Sequence, residues 1–308
     1  MMMQAMLVTA LVTAIIGWPV LLLLRRLGVS QKISEYVPEH SEKQGTPTAG
    51  GLMMLLAALV VWGLVVRVGD WEPRPPASDG LWLTLIGGFA LIGLLDDVVL
   101  PRLTKKRGLG WIPKLILQFA VAVPVCVAYL QSRDGTSWLV GSDLAPIAIA
   151  AVIVVGVANA ANFTDGMDGL AAGVMVLASI GLFMGGGDAF FCAVLAGSAL
   201  GFLAYNAPPA RLFMGDTGSL MLGAGFGFAL LAQPQASPWL LLLLAVLIVE
   251  LVPVPLQILW VKLFKRRLFL RTPIHHAFQY AGVPERRVVA GFLVVQAACT
   301  VAYGVLVR

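Results

Sequence analysis

Residues 144–161 read LAPIAIAAVIVVGVANAA, and residues 162–169 follow at once as NFTDGMDG. The first stretch carries no charge and is continuously apolar, without the alternation of a half-buried strand. A helix of about 20 such residues matches the thickness of a bilayer's hydrocarbon core. The second stretch places two aspartates and an asparagine directly at the end of that helix. The junction sets the pattern for the whole chain: apolar helices whose ends carry acids.

The rest of the sequence agrees. Of 308 residues, 59% are hydrophobic and 12% charged, and mean hydropathy is +0.90. Soluble domains carry about 25% charged residues. A water-soluble globule is therefore excluded, and so is a disordered chain, which needs low hydrophobicity and high charge. The expected fold is an all-α integral membrane protein, one polytopic domain over residues 1–308. Ten spans are expected, over 5–24, 50–68, 81–95, 113–130, 144–161, 169–184, 188–205, 217–232, 238–262 and 288–306. The first run has no positive charge ahead of it and Arg25-Arg26 behind it, so it reads as a retained span and not a cleaved signal. Cys126, Cys192 and Cys299 lie inside apolar runs, and no CxxC or Cys/His cluster exists, which points away from disulfides and zinc.

Lysine and arginine orient the bundle. If both termini lie outside, seventeen of the 21 Lys and Arg fall on the inner side, in four groups: Arg25 to Lys43, Arg102 to Lys114, Arg211, and Lys262 to Arg287. That asymmetry follows the positive-inside rule. The connections Gly69–Gly80 and Gln131–Pro146 then lie outside as spacers. Lys105, Lys106 and Arg107 read as headgroup anchors.

The residues that could do chemistry were not used to set this topology, yet they fall on its inner side. Asp96 and Asp97 end the third span; Asn162, Asp165 and Asp168 follow the fifth; Asn206 and Asp216 flank the loop before the eighth; His275 and His276 precede the tenth. Carboxylates at a membrane edge are costly and point to function. Several converging on one cavity need a compensating cation, and oxygen-only ligands suit Mg²⁺ or Mn²⁺. Phosphate chemistry is the expectation. Each motif also has a plainer reading. Asp96-Asp97 could face water as a helix end, Asp216 could be a helix cap, and 162–169 could be a simple Asx-rich turn, whereas on the functional reading Thr164 or Asp165 caps the next helix, whose N-terminus favours an anion. In KQGTPTAGG (43–51), Lys43 and the threonine hydroxyls could bind phosphate, or Thr46 or Thr48 could simply cap the second span beside a solvated Lys43. Lys114 is a candidate phosphate contact. Glu250 lies midway along 238–262, ahead of Pro253 and Pro255, which should break that helix. It must be protonated, paired or cavity-facing.

Taken together, GTPTAGG (45–51), LDD (95–97), NFTDGMDGLA (162–171), YN (205–206), FMGDTGSL (213–220) and TPIHHAF (272–278) resemble the polyprenyl-phosphate N-acetylhexosamine-1-phosphate transferases, most closely their phospho-N-acetylmuramoyl-pentapeptide branch. The motifs occur in family order along nearly the whole chain. The resemblance implies ten helices with an active site at the cytoplasmic face of a bacterial inner membrane, and a homodimer. It implies Mg²⁺ held by Asp216 and Asn162, with Asp96, Asp97 and Asp216 as catalytic residues. Lys43, Thr46, Lys114, Asn162, Asp165, Asp168, Asn206, Phe213, His275 and His276 would bind substrate, Phe213 near the uracil. The implied reaction passes phospho-MurNAc-pentapeptide from UDP-MurNAc-pentapeptide to undecaprenyl phosphate, releasing UMP. Nucleic acid is not an expected partner. The branch usually shows three consecutive histidines; here the third position is Ala277. UDP-GlcNAc or another UDP-HexNAc is the alternative donor. Pro253 is expected to break the ninth span and so wall a groove for the lipid chain.

Overall fold

The computed structural model describes residues 2–30, 43–68, 76–104, 108–132, 139, 143–233 and 237–307. Lys32, Lys105, Lys106, Arg107 and Arg133, and most of the Gly69–Gly80 and Gln131–Pro146 connections, lie outside the described residues. So does the side chain of Arg67. Among the described residues every regular element is helical, with one isolated bridge between Ser30 and Pro47.

A helix, or a broken series of helices, covers each stretch expected to span. The first eight such regions are α1 (Met2–Arg26), α2 (Gly51–Val68), α3 (Pro76–Leu94) with its extension α4 (Leu100–Leu103), α5 (Trp111–Ser132), α6 (Leu144–Thr164), α7 (Leu170–Met184), α8 (Ala189–Asn206) and α9 (Gly215–Leu231). Then come α10 (Leu240–Leu243), α11 (Ala245–Leu251), α12 (Pro253–Phe264), α13 (Ile274–Tyr280) and α14 (Glu285–Leu306). Seven helical segments among the described residues are long and apolar enough to cross a membrane. α7 and the Gly51–Val65 part of α2 are shorter apolar helices. The chain is a multi-pass membrane protein.

Sequence explains the layering. α9 reads GDTGSLMLGAGFGFALL and is buried from Thr217 to Leu231. Its small residues let α2, α3, α6 and α8 press against it, as small residues do between helices in lipid, where apolar bulk gives no advantage at the contact. Outward faces stay apolar: Leu11, Ile15, Ile116, Val294 and Val301 are exposed. Inside, Thr9 and Thr13 bond back to the carbonyls of Ala5 and Thr9, so neither hydroxyl is stranded.

The closest approaches occur at the start of α9. A Cβ on Gly51 would land on the backbone N and Cα of Gly218, and one on Gly93 would land on the backbone of Asp216 and Thr217. Backbone cannot swing aside as a side chain can. Gly51→Ala is therefore expected to cost about 1–3 kcal/mol by overpacking and to lower the thermal midpoint of the detergent-purified protein. An unchanged midpoint would mean that α2 and α9 are not seated this tightly.

Two expectations about helix ends need correction. The third span does not stop at Asp97. It passes through a π-helical turn, Leu95–Val99, and continues as α4 to Leu103. The wider turn absorbs one extra residue without breaking the helix. Neither Thr164 nor Asp165 caps α7. Its N-cap is Gly169, in the left-handed region at φ 78, and Thr164 donates back to Ala160 O. The ninth region breaks ahead of Pro253, as its missing N–H requires, and also at Leu244, which no proline marks.

Candidate active site

Three connections meet at one end of the bundle: 43–50, 162–169 and 207–214. They are stitched by backbone. Phe213 N donates to Pro47 O (2.8 Å), Gly50 N to Phe213 O (2.9 Å) and Gly51 N to Met214 O (3.1 Å). Asn206 is buried and bridges the other two. Its Oδ1 accepts from Gly169 N (2.9 Å) and its Nδ2 donates to Leu212 O (3.0 Å).

The acids of the π turn project into this end. Asp97 sits at the N-terminus of α9. Its Oδ1 accepts from Asp216 N (3.2 Å), and its Oδ2 accepts from Thr217 N (3.0 Å) and Thr217 Oγ1 (2.7 Å). Free N–H groups at a helix start attract a negative charge, and here another helix supplies it. Gly215, at φ 68, leaves the necessary room: a Cβ there would press on Asp97 Oδ2 and Thr48 Oγ1. Asp96 accepts from Leu109 N (2.5 Å) and pairs with Lys114 Nζ (3.2 Å). Lys114 also binds Asp216. Asn162 Nδ2 donates to Asp216 Oδ1 (2.7 Å) and to Ser219 Oγ (2.9 Å). One carboxylate oxygen each from Asp96, Asp97 and Asp216 lies within 4.8 Å of the others. Three converging carboxylates beside one lysine are under-compensated, and an all-oxygen donor set of this kind fits a divalent cation. Asn162 stands one hydrogen bond behind this trio, as a donor to Asp216.

Asp165 lies at the C-terminus of α6, next to the trio. Burial, with the negative charges of Asp216 and Asp97, pushes its carboxyl well above the usual range, against the pull of the Gly215 N–H. A cation held by the trio would relieve that repulsion.

A second cluster adjoins. Lys43 Nζ pairs with Asp168 Oδ1 (2.7 Å) and Glu285 Oε1 (2.6 Å). Glu285 Oε1 also accepts from Asp168 N (2.9 Å), and Asp168 Oδ2 from Ala210 N (2.9 Å). Lys43 is thus tied to two acids. Glu285 was missed in the sequence; its signal was a lone acid in the first turn of α14, just after Pro284. Thr46 lies in the same connection, half-buried, with its N–H on Lys43 O (3.2 Å).

The histidines approach from the other side. His275 is fully buried, and its Nε2 faces Gly166, where a Cβ would collide with it. Its Nδ1 lies 2.9 Å from Glu250 Oε2, and its backbone N donates to Glu250 Oε1 (3.2 Å). Glu250 is therefore paired, one of the three states open to it in the sequence. The centre of the His276 ring lies 4.2 Å from that of His275, with the two planes tilted by 54°. The structure thus gathers Asp96, Asp97, Lys114, Asn162, Asp165 and Asp216 into one cluster, Lys43, Asp168 and Asn206 into its neighbour, and sets His275 against the loop joining them.

Comparison with known proteins agrees. Residues 80–233 match the family model of glycosyl transferase family 4. The phospho-N-acetylmuramoyl-pentapeptide-transferase of Moorella thermoacetica is 39% identical, covering 94% of this chain and 93% of its own length. Those of Heliobacterium modesticaldum and Caldicellulosiruptor bescii are 39% and 35% identical, each covering 94% of this chain and 93% and 92% of their own lengths. With 35–39% identity along nearly the full length of these relatives, the chain belongs to the phospho-N-acetylmuramoyl-pentapeptide-transferase family.

Proposed function

We propose that the protein transfers phospho-MurNAc-pentapeptide from UDP-MurNAc-pentapeptide to undecaprenyl phosphate, giving lipid I and UMP, the first membrane step of peptidoglycan synthesis. The observation that carries this reading is the convergence of Asp96, Asp97 and Asp216 around Lys114 at one end of a membrane-spanning bundle. The charge asymmetry of the loops argues that this end faces the cytoplasm, in a bacterial inner membrane crossed ten times with both termini outside. A homodimer is part of the same reading.

Asp216 is proposed as the main Mg²⁺ ligand, with Asp96 and Asp97 beside it and Asn162 supporting Asp216. When bound, the ion supplies charge neutralisation to the donor diphosphate. Lys114, already among the carboxylates, adds a positive charge at the same place. Asp165, Asp168, Lys43, Thr46, Asn206 and Phe213 form the loops proposed to hold the nucleotide, and His275 and His276 the side facing the sugar diphosphate. Lys43 must share its charge with Asp168 and Glu285, so it positions the loop more than it offers a free cation.

The acceptor's phosphate, with a second pKa near 6, is largely dianionic at pH 7, so little base catalysis is needed. Both oxygens of Asp97 are engaged by the start of α9, and Asp96 is held by Leu109 N and Lys114. These bonds hold both carboxylates in place and lower their nucleophilicity. This favours direct in-line attack by the lipid phosphate over a covalent aspartyl intermediate, with catalysis by positioning and charge. An apolar groove of about 600 Å³ between α11, α13 and α14, lined by Val249, Ile274, Phe278, Val288 and Phe292 with Arg287, offers a seat for the prenyl chain. It lies beside α11, ahead of the Pro253 break.

The test is the full-length protein with Mg²⁺ and undecaprenyl phosphate, given UDP-MurNAc-pentapeptide or UDP-GlcNAc, with UMP release measured. Release is expected with the first donor. Release with the second alone would assign the UDP-HexNAc alternative that Ala277 raises.

A further inference from the structure

The connection from α12 to α13 is unusually basic for a membrane loop, and its backbone is held by a side chain of α12. Residues 262–271 read KLFKRRLFLR, five cations in ten residues, and no aspartate or glutamate occurs between Glu250 and Glu285. α12 closes at Lys265, in the left-handed region at φ 55. The chain then folds back onto Gln257, whose Oε1 accepts from Leu268 N (3.0 Å) and Phe269 N (2.9 Å). This pins the backbone between the two arginines Arg267 and Arg271. The Arg271 guanidinium lies 4.4 Å from the centre of the Tyr280 ring, which sets its plane. Between them is a cavity of about 320 Å³ lined by Arg267, Leu268, Phe269, Leu270, Arg271 and Tyr280.

The same segment presents apolar side chains outward. Leu263 is 63% and Leu270 64% exposed, with Phe264 and Leu268 also exposed. Leucines and phenylalanines facing outward beside arginines, at the end of an apolar helix, suit the headgroup layer of a bilayer, with acyl chain on one side and phosphate on the other. Guanidinium groups pair with phosphate through two parallel hydrogen bonds, whereas ammonium groups act as point charges. Basic pockets at the cytoplasmic ends of helices are a known chemistry for anionic headgroups.

We infer that the Arg267–Arg271–Tyr280 cavity is a binding site for the phosphate headgroup of an anionic inner-leaflet lipid, separate from the residues assigned to the reaction. The cytoplasmic placement of the loop rests on the topology of the proposed function; the cavity and its charge do not. The site would anchor α12 and the α12–α13 connection at the membrane surface, beside the helix that carries the histidines.

The test uses the full-length protein in phosphatidylcholine nanodiscs with trace spin-labelled phosphatidylglycerol or spin-labelled phosphatidylcholine, and no donor or acceptor. The immobilised fraction is expected to favour phosphatidylglycerol. Arg267→Gln with Arg271→Gln should weaken that preference by about 30-fold while leaving the thermal midpoint unchanged. Arg25→Gln with Arg26→Gln, two exposed cations at the end of α1, should leave it intact. No preference in the parent protein, an equal loss in both variants, or no loss in the first would overturn the site. Displacement of the label by inorganic phosphate at matched ionic strength would assign the cavity to a free anion and overturn the lipid. UMP release on the same samples reports the transferase reading separately.

Discussion

Asp216→Asn is expected to lower UMP release by about 10³-fold while leaving the protein folded. Asp216 is where the cluster's connections meet. Lys114 binds it, Asn162 donates to it, and its own N–H is held by Asp97. The amide keeps the size of the carboxylate and can still accept from Asn162, so packing at the start of α9 survives. It removes one full negative charge from the carboxylate trio, and with it most of the attraction for a divalent cation. Removing one preorganised electrostatic contact from an active site typically costs 10²–10³ in turnover, and loss of a charged metal ligand belongs at the upper end. The variant's thermal midpoint should stay near that of the parent. Full activity would show that the reaction does not run at this cluster.

Glu250→Ala is expected to be the most destabilising change at the site, by about 3 kcal/mol. Glu250 and His275 are both fully buried, and the carboxylate serves the His275 ring and its backbone N–H together. Deleting it leaves two buried polar groups without their partner, and such losses cost about 1–3 kcal/mol each. Glu250→Gln should cost less, because the amide oxygen still accepts one of the two bonds. The measurement is the thermal midpoint of the two variants in detergent, with UMP release alongside. His275 packs against Gly166 in the acidic loop, so activity should fall with the midpoint in the alanine variant. A midpoint unchanged by Glu250→Ala would mean that the pair does not hold α11 to α13.

The helices were largely legible in the sequence because lipid demands long uncharged runs, and such runs have few other uses. The clustered acids were legible as a group because charge at a membrane edge is costly enough to mark itself. What stayed hidden depended on long-range geometry. Nothing local at Asp97 says that its carboxylate caps a helix more than a hundred residues later. Glu285 looked like one acid in a basic stretch, yet it holds Lys43 and the Asp168 backbone. Lys43 read as a candidate phosphate ligand because its two acidic partners come from distant segments. Glu250 was recognised as costly, but its partner could not be named until α11 and α13 were seen side by side. The break at Leu244 carries no proline or glycine to announce it.

The π turn at Leu95–Val99 has one further consequence. Each residue of an α-helix advances about 100° around its axis. Deleting Leu94 or Leu95 would restore ordinary winding and swing the side chains that follow by that angle relative to α3 and α9. Asp96 and Asp97 would then no longer face Lys114 and Thr217 together, although every amino acid in the site would still be present. Along this stretch the count of residues matters as much as their identity, so loss of one position here would harm the enzyme more than many substitutions.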